Sequence, residues 1–299
     1  MACLGLARID ERFTHISSRH PCFSGEANMA HGRLHLPVSP VCNIQCRFCK
    51  RTFNKAEQRP GVSAVLLKPE DAADLVRKAL KLCPEITVAG IAGPGDTLAT
   101  DHALETFRII HREFPNLINC LSTNGLLLER YADDLYEAGV GTLTVTVNAV
   151  DPVILDKICS HIVLDGKKYT GVAGAGILIE AQKRGIRKAA DLGLLIKINI
   201  VLIPALNGDH IREIARTVSE LGAGIINIIP LIPQHEFAEA EEPSCEELNE
   251  AREAAEEFLP VFRHCQHCRA DACGIPGKGD FSSLLYSESR EFEQTFSHG

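Results

Sequence analysis

Tryptophan is absent from this 299-residue chain, methionine occurs twice, and aromatic residues make up only 5% of it. Those gaps decide nothing by themselves, but three other shortages do. No run of about twenty apolar residues exists, so no segment is long enough to cross a bilayer as a helix. Positive charge is short: 31 Lys and Arg face 39 Asp and Glu, a net of −8. That balance disfavours nonspecific binding to nucleic acid or to an anionic membrane. Residues 1–19 hold no apolar core bounded by a cleavage site, so no secretory leader is expected and a cytoplasmic location is.

Cysteine is in excess, at twelve residues. Many thiols in a cytoplasmic chain point to metal or redox work and not to disulfides. Three of them fall in Cys42-Asn43-Ile44-Gln45-Cys46-Arg47-Phe48-Cys49, a C-x3-C-x2-C spacing just after the apolar stretch Leu34–Val38. Three soft thiolates so spaced can hold three irons of a [4Fe-4S] cluster and leave the fourth open to a small molecule. Zinc is the plain alternative, but it commonly takes four ligands in C-x2-C pairs, and no matching pair lies close by. The spacing, placed after a strand-like segment, resembles the signature of the radical S-adenosylmethionine (SAM) superfamily.

The rest of the chain alternates strands and helices. Runs rich in Val, Ile and Leu predict strands over 33–38, 85–91, 117–122, 142–148, 194–203 and 225–231, several of them continuous apolar runs of the kind buried on both faces. Helical periodicity predicts helices from about 72, over 97–113, 126–139, 174–191 and 209–222, with Gly193 and Gly222 as C-caps. A last helix is expected near Ser244, where Ser244-x-x-Glu247 reads as a capping box. Six βα units in succession imply a parallel sheet with right-handed crossovers. An open doubly wound sheet and a full or partial TIM barrel both fit, and the barrel is the expected α/β class. It would span 33–262, between an N-terminal extension (1–32) bearing cluster ligands and a cysteine-rich C-terminal extension (263–299). In a barrel the active site lies at the carboxyl ends of the strands. Those ends carry Ala92-Gly93-Pro94-Gly95-Asp96, Cys120-Leu121-Ser122-Thr123-Asn124-Gly125 and Asn148-Ala149-Val150-Asp151, while the fifth strand carries Lys197 and Asn199. Each polar residue has a plain alternative as a turn or helix cap, and Asp151 before Pro152 reads as such a cap.

Several segments together resemble the NifB family of nitrogenase cofactor biosynthesis proteins. They are His20-Pro21-Cys22-Phe23-Ser24, Leu36–Cys49, Arg59-Pro60-Gly61-Val62, Gly93-Pro94-Gly95-Asp96, Leu121–Gly125, Asn148–Pro152 and Arg263-His264-Cys265 through Asp271. The resemblance covers about residues 20–274. It implies a radical SAM enzyme that fuses two [4Fe-4S] clusters, inserts a carbide from a SAM methyl group and adds a sulfur, giving an [8Fe-9S-C] cofactor precursor. It implies Cys42, Cys46 and Cys49 as holders of the SAM-cleaving cluster. Gly93, Pro94, Gly95, Asp96, Ser122, Thr123, Asn148 and Lys197 become candidate cofactor-binding residues, the first four resembling the segment that holds the SAM amino group. For two substrate clusters the candidate ligands are His20, Cys22 and Cys120 for one, and Cys265 and Cys268 for the other. Incomplete or mixed thiolate–imidazole ligation suits a cluster that must leave after reaction. His15, His31 and His35 are rival imidazoles, and the third ligand of the second cluster is open between Cys273 and Cys3. Glu57, matching a family glutamate, is a candidate for proton handling, with a loop carboxylate as the alternative. Cys83, Cys159 and Cys245 are expected in helices as small hydrophobes. The implied partners are an iron–sulfur cluster donor, an electron donor and downstream carrier or scaffold proteins.

The chain departs from many relatives in lacking a further cysteine just after the triad, where Asn54-Lys55 stand. It shows no cluster-carrier domain after residue 274, so a separate carrier is expected to take the product. Two other readings compete. One is a different radical SAM enzyme with auxiliary clusters, a methylthiotransferase or an activating enzyme. The other is a non-catalytic iron–sulfur protein for electron transfer or storage, which would normally hold a fourth cysteine.

Overall fold

A computed structural model describes residues 9–286. Its strands, in chain order, are β1 (Gly32–His35), β2 (Ile44–Cys46), β3 (Thr52–Phe53), β4 (Val62–Ser63), β5 (Ile86–Ile91), β6 (Ile118–Thr123), β7 (Val140–Thr146), β8 (Cys159–Leu164), β9 (Lys167–Thr170), β10 (Leu195–Leu202), β11 (Ile225–Pro230) and β12 (Cys273–Gly274). The main sheet runs β11-β10-β7-β6-β5-β1-β12. Its first six strands stand in chain order and pair in parallel. A doubly wound sheet would reverse direction at a switch point. This one winds a single way, as a curled, open part of an α/β barrel. Antiparallel β12 caps the β1 edge, with Leu34 opposite Cys273.

Burial follows the sequence pattern. β10 is buried along nearly its whole length because side chains cover both faces. β6 instead alternates: Asn119, Leu121 and Thr123 are buried, while Ile118, Cys120 and Ser122 are only half covered. Helices Ala72–Leu82, His102–Glu113, Leu128–Glu137, Gly171–Asp191 and Ile211–Glu220 supply the outer layer. Their apolar stripes close one large core, with Phe107, Leu135, Ile186 and Ile214 fully buried. The capping box at Ser244 and Glu247 forms and opens helix Cys245–Glu256.

Three expectations shift. Helix 97–113 begins only at His102, because the preceding residues turn under Asp96. Residues 159–170 form the hairpin β8–β9, and β8 pairs antiparallel with β2 inside the cysteine loop. Cys159 is therefore a strand residue paired with Cys46, not a helical one. Cys245 opens its helix exposed to solvent, so it is no core hydrophobe. Cys83 is buried as expected, at the cap of helix Ala72–Leu82.

Candidate active site

The concave face of the sheet and the carboxyl ends of its strands enclose a cavity of about 330 Å³. The triad loop forms one side. β2 holds it to the hairpin, and Gln45 donates from its amide to the carbonyls of Cys46 (2.8 Å) and Cys49 (3.1 Å). Cys42, Cys46 and Cys49 all line the cavity. Burial pushes the Cys42 thiol up to about 12. Cys46 is raised well above its ordinary value, first by a hydrogen bond shared with Cys159 and then by burial. These are properties of free thiols. A bound metal inverts them, because it takes thiolates and releases protons.

The Gly-Pro-Gly-Asp segment packs against this loop. Gly95 N–H donates to the Ser39 carbonyl at 2.7 Å and Asp96 N–H to the Val41 carbonyl at 2.8 Å. A Cβ on Gly95 would collide with the Val41 carbonyl, so the glycine is required for backbone approach. Pro94, Gly95 and Asp96 line the cavity; Gly93 is not on the wall, and a Cβ there would touch Ala270. Asp96 is 5% exposed. It accepts from the Leu98 and Asn124 N–H groups (3.0 and 2.6 Å) and from the Thr123 hydroxyl at 3.1 Å. Burial raises its pKa against those bonds. Asn124 then donates to Asn43 Oδ1 at 2.6 Å and lies 3.9 Å from Cys42 Sγ. Ser122 and Thr123 line the cavity, and so does Asn148, whose Oδ1 accepts from the Val201 N–H at 2.9 Å.

On the other side stand His20, Cys22, His35, Cys120, Cys265 and Cys268. His20 is 1% exposed. Its Nδ1 accepts from the Cys22 N–H at 3.1 Å, which leaves Nε2 as a buried nitrogen with no protein partner. Burial lowers its pKa well below the ordinary value, so the ring is neutral, and with Nδ1 accepting, its proton sits on Nε2. His35 is engaged through Nδ1 with the Arg269 carbonyl at 2.8 Å. Burial, followed by the charge of Arg33, lowers its pKa to about 4. Burial pushes Cys22 up to about 12 and raises Cys120. Lys197 projects from β10 beneath this group, donating to the Cys22 carbonyl at 3.4 Å between the rings of Phe23 and Phe262. Its contacts are thus with the histidine–cysteine wall.

Other expected residues lie elsewhere. His15 is exposed, and His31, like His15, is absent from the cavity wall. Cys273 is fully buried on β12, beside β1, and also misses the wall. Cys3 lies outside the described residues. The Glu57 carboxylate is exposed and off the wall, held by Arg59 Nε (2.7 Å) and Asn54 Nδ2 (2.8 Å). Those partners hold its pKa below the ordinary range, Arg59 foremost, which leaves a paired anion poorly suited to trading protons.

Sequence reasoning passed over Cys159, His267 and Arg33, which all line the cavity. Alternation in residues 159–164 is weak, so only the register with β2 reveals Cys159. Among the described residues no three of His, Cys, Asp and Glu are set to grip a single metal ion. The donor set fits a polynuclear group better: three thiols on one loop, with more thiols and an orphaned imidazole across one cavity.

Comparison with known proteins agrees with this chemistry. Residues 36–218 match the Radical SAM superfamily. FeMo cofactor biosynthesis protein NifB of Methanocaldococcus infernus is 51% identical over 282 residues, covering 94% of this chain and 93% of that protein. Its counterpart in Methanocaldococcus jannaschii is 50% identical, over 88% of each chain. The chain belongs to the NifB family. The longer NifB of Azotobacter vinelandii is 37% identical over 96% of this chain, which covers 59% of it. Among solved structures, methylornithine synthase (PylB) superposes with a TM-score of 0.53 at 15% identity, over 89% of this chain and 79% of that one. Native anSMEcpe with bound AdoMet gives 0.50 at 15% identity, over 76% and 59%. These two show the shared fold alone. As a radical SAM enzyme of the NifB family the chain takes a [4Fe-4S] cluster and SAM, and the Cys42, Cys46 and Cys49 thiols stand together on the cavity wall.

Proposed function

We propose that this protein makes the precursor of the nitrogenase iron–molybdenum cofactor, fusing two [4Fe-4S] substrate clusters around a carbide taken from a SAM methyl group and adding a ninth sulfur. One observation carries the reading: His20, Cys22, Cys120, Cys265 and Cys268 line the same cavity as the SAM-cluster triad. A radical SAM enzyme that holds the triad cluster alone has no need of a second set of soft ligands there. When reduced and bound by the triad, the cluster supplies the electron that splits SAM. The chain's own residues do the rest by position. Asp96 fixes the turn at Thr123–Asn124, and Asn124 ties that turn to Asn43 in the cluster loop. Pro94 and Gly95 offer backbone at the wall, and their carbonyls suit the SAM ammonium group. His20 would bind one substrate cluster through Nε2 beside Cys22 and Cys120, which requires the ring proton to move from Nε2 to Nδ1 and the Cys22 N–H bond to be given up, while Cys265 and Cys268 hold the other. Thiolate–imidazole ligation short of four thiolates lets the product leave for a separate carrier protein. A cluster donor and an electron donor would supply the reaction, in the cytoplasm.

Iron and acid-labile sulfide per chain after anaerobic reconstitution test this. We expect about twelve irons, four for each [4Fe-4S] unit. The Cys265→Ala, Cys268→Ala double variant should lose about four. About four irons in the unaltered chain would leave an ordinary radical SAM enzyme and remove the substrate-cluster reading.

A further inference from the structure

Arg33 and Lys197 are cations buried against this cavity, and among the described residues neither is ion-paired with a carboxylate. Arg33 is 5% exposed and Lys197 is 6% exposed. Arg33 donates through Nη1 to the Gly274 carbonyl and through Nη2 to Cys268 Sγ at 3.1 Å, and among the described residues its Nε has no hydrogen-bond partner. Lys197 donates to the Cys22 carbonyl at 3.4 Å and lies between two aromatic rings. Arg269, equally buried a short way along the tail, shows the usual solution: Asp271 neutralises it at 2.8 Å. A buried charge is tolerated when something of opposite sign faces it. Neither Arg33 nor Lys197 forms an ion pair with an Asp or Glu among the described residues, and Asp280 acts on Arg33 only behind Cys268 and Cys22. What faces both cations is sulfur.

We propose that Arg33 and Lys197 are charge-compensating positioning residues for the two substrate clusters, and that they set the reduction potentials of those clusters. The inference rests on the cluster-fusion reading above. Thiolate-held clusters are anionic, and nearby cations and N–H donors to sulfur favour the more reduced, more negative state. The two residues divide the work. Arg33 touches Cys268 and so acts on the cluster held by the C-terminal pair. Lys197 sits beneath Cys22 and acts on the cluster held with His20 and Cys120.

Anaerobic redox titration of the reconstituted full chain, followed by electron paramagnetic resonance and paired with iron analysis, tests this. Arg33→Met and Lys197→Met should each move one substrate-cluster signal to more negative potential. The signal abolished by Cys42→Ala, which marks the triad cluster, should stay in place. Arg33→Lys and Lys197→Arg keep the charge and should shift less. Should a Met variant instead lose about four irons, loading restored by its charge-conserving partner supports the proposal, and loading still absent overturns it. Unchanged potentials at unchanged iron content would overturn it while leaving cluster fusion intact. An unaltered chain holding about four irons would overturn both.

Discussion

Arg269 and Asp271 explain why the C-terminal motif continues past its two cysteines. Their side chains are 3% and 1% exposed and meet at 2.8 Å. Arg269 also donates to the Asn54 and Glu57 carbonyls, and Asp271 accepts from the Ala64 N–H. The pair thereby clips the 54–64 loop, including the ribbon edge at β4, to the segment that carries Cys265 and Cys268. Removing one member strands the other charge in the interior, at a cost of about 3–5 kcal/mol. Arg269→Ala should therefore lower stability by about that amount in urea unfolding of the reduced, cluster-free chain. Replacing both members with apolar residues of similar size should recover most of the loss, since a well-packed apolar pair carries no unpaired charge. A double variant no more stable than Arg269→Ala would show that the backbone bonds, and not the ion pair, hold the clip.

At the scale of elements, the six parallel strands were legible because each is a short apolar run between helical patterns, and packing on both faces leaves no other reading for Leu195–Leu202. The triad was legible from spacing alone. The hairpin β8–β9 was not: Cys159-Ser160-His161-Ile162 has no clean period, and its strand character comes from pairing with β2. The failure of Glu57 to reach the cavity was equally invisible, because Arg59, two residues on, captures it. The hairpin matters because it braces the cluster loop, with Ile162 opposite Ile44 and 1% exposed. Ile162→Ala should cost about 2–5 kcal/mol, as large-to-small core changes do. It should also speed iron loss from the triad cluster to a chelator severalfold. Ile214→Ala, in the outer helix Ile211–Glu220, removes a similar side chain from a fully buried site. It should lower stability comparably and leave the rate of iron loss unchanged. Equal rates in the two variants would mean that β8 is packing only.

At the scale of the whole molecule, the cavity makes the cluster-free protein sensitive to pH at both ends. Burial lowers His35 from 6.5 to about 4 and lowers His20 in the same direction. Between those values the unfolded chain binds protons that the folded chain refuses, so stability falls as pH drops from about 6.5 towards 4. Asp96, raised by burial from the ordinary carboxylate value of 3.8, runs the opposite way and offsets part of that fall. At the alkaline end Cys22, Cys42 and Cys273 are raised from 9.0 to about 12 by burial. There the unfolded chain releases protons that the folded chain keeps, so stability falls again as pH rises through that window. Cluster loading should change the pH dependence on both sides of pH 9.0, the ordinary value of these thiols. Cys22 and Cys42 would then be thiolates in the folded state and have no proton to withhold, whereas Cys273, off the cavity wall, would keep its thiol. Thermal unfolding of cluster-free and anaerobically loaded protein from about pH 5 to about pH 11 should therefore show midpoints that diverge throughout: below about pH 9 the loaded form gains on the cluster-free form as pH rises, because its unfolded thiols bind protons that its folded thiolates lack, and above it the loaded form declines less. Parallel decline of the two forms across the alkaline limb would mean that these thiols do not bind the clusters.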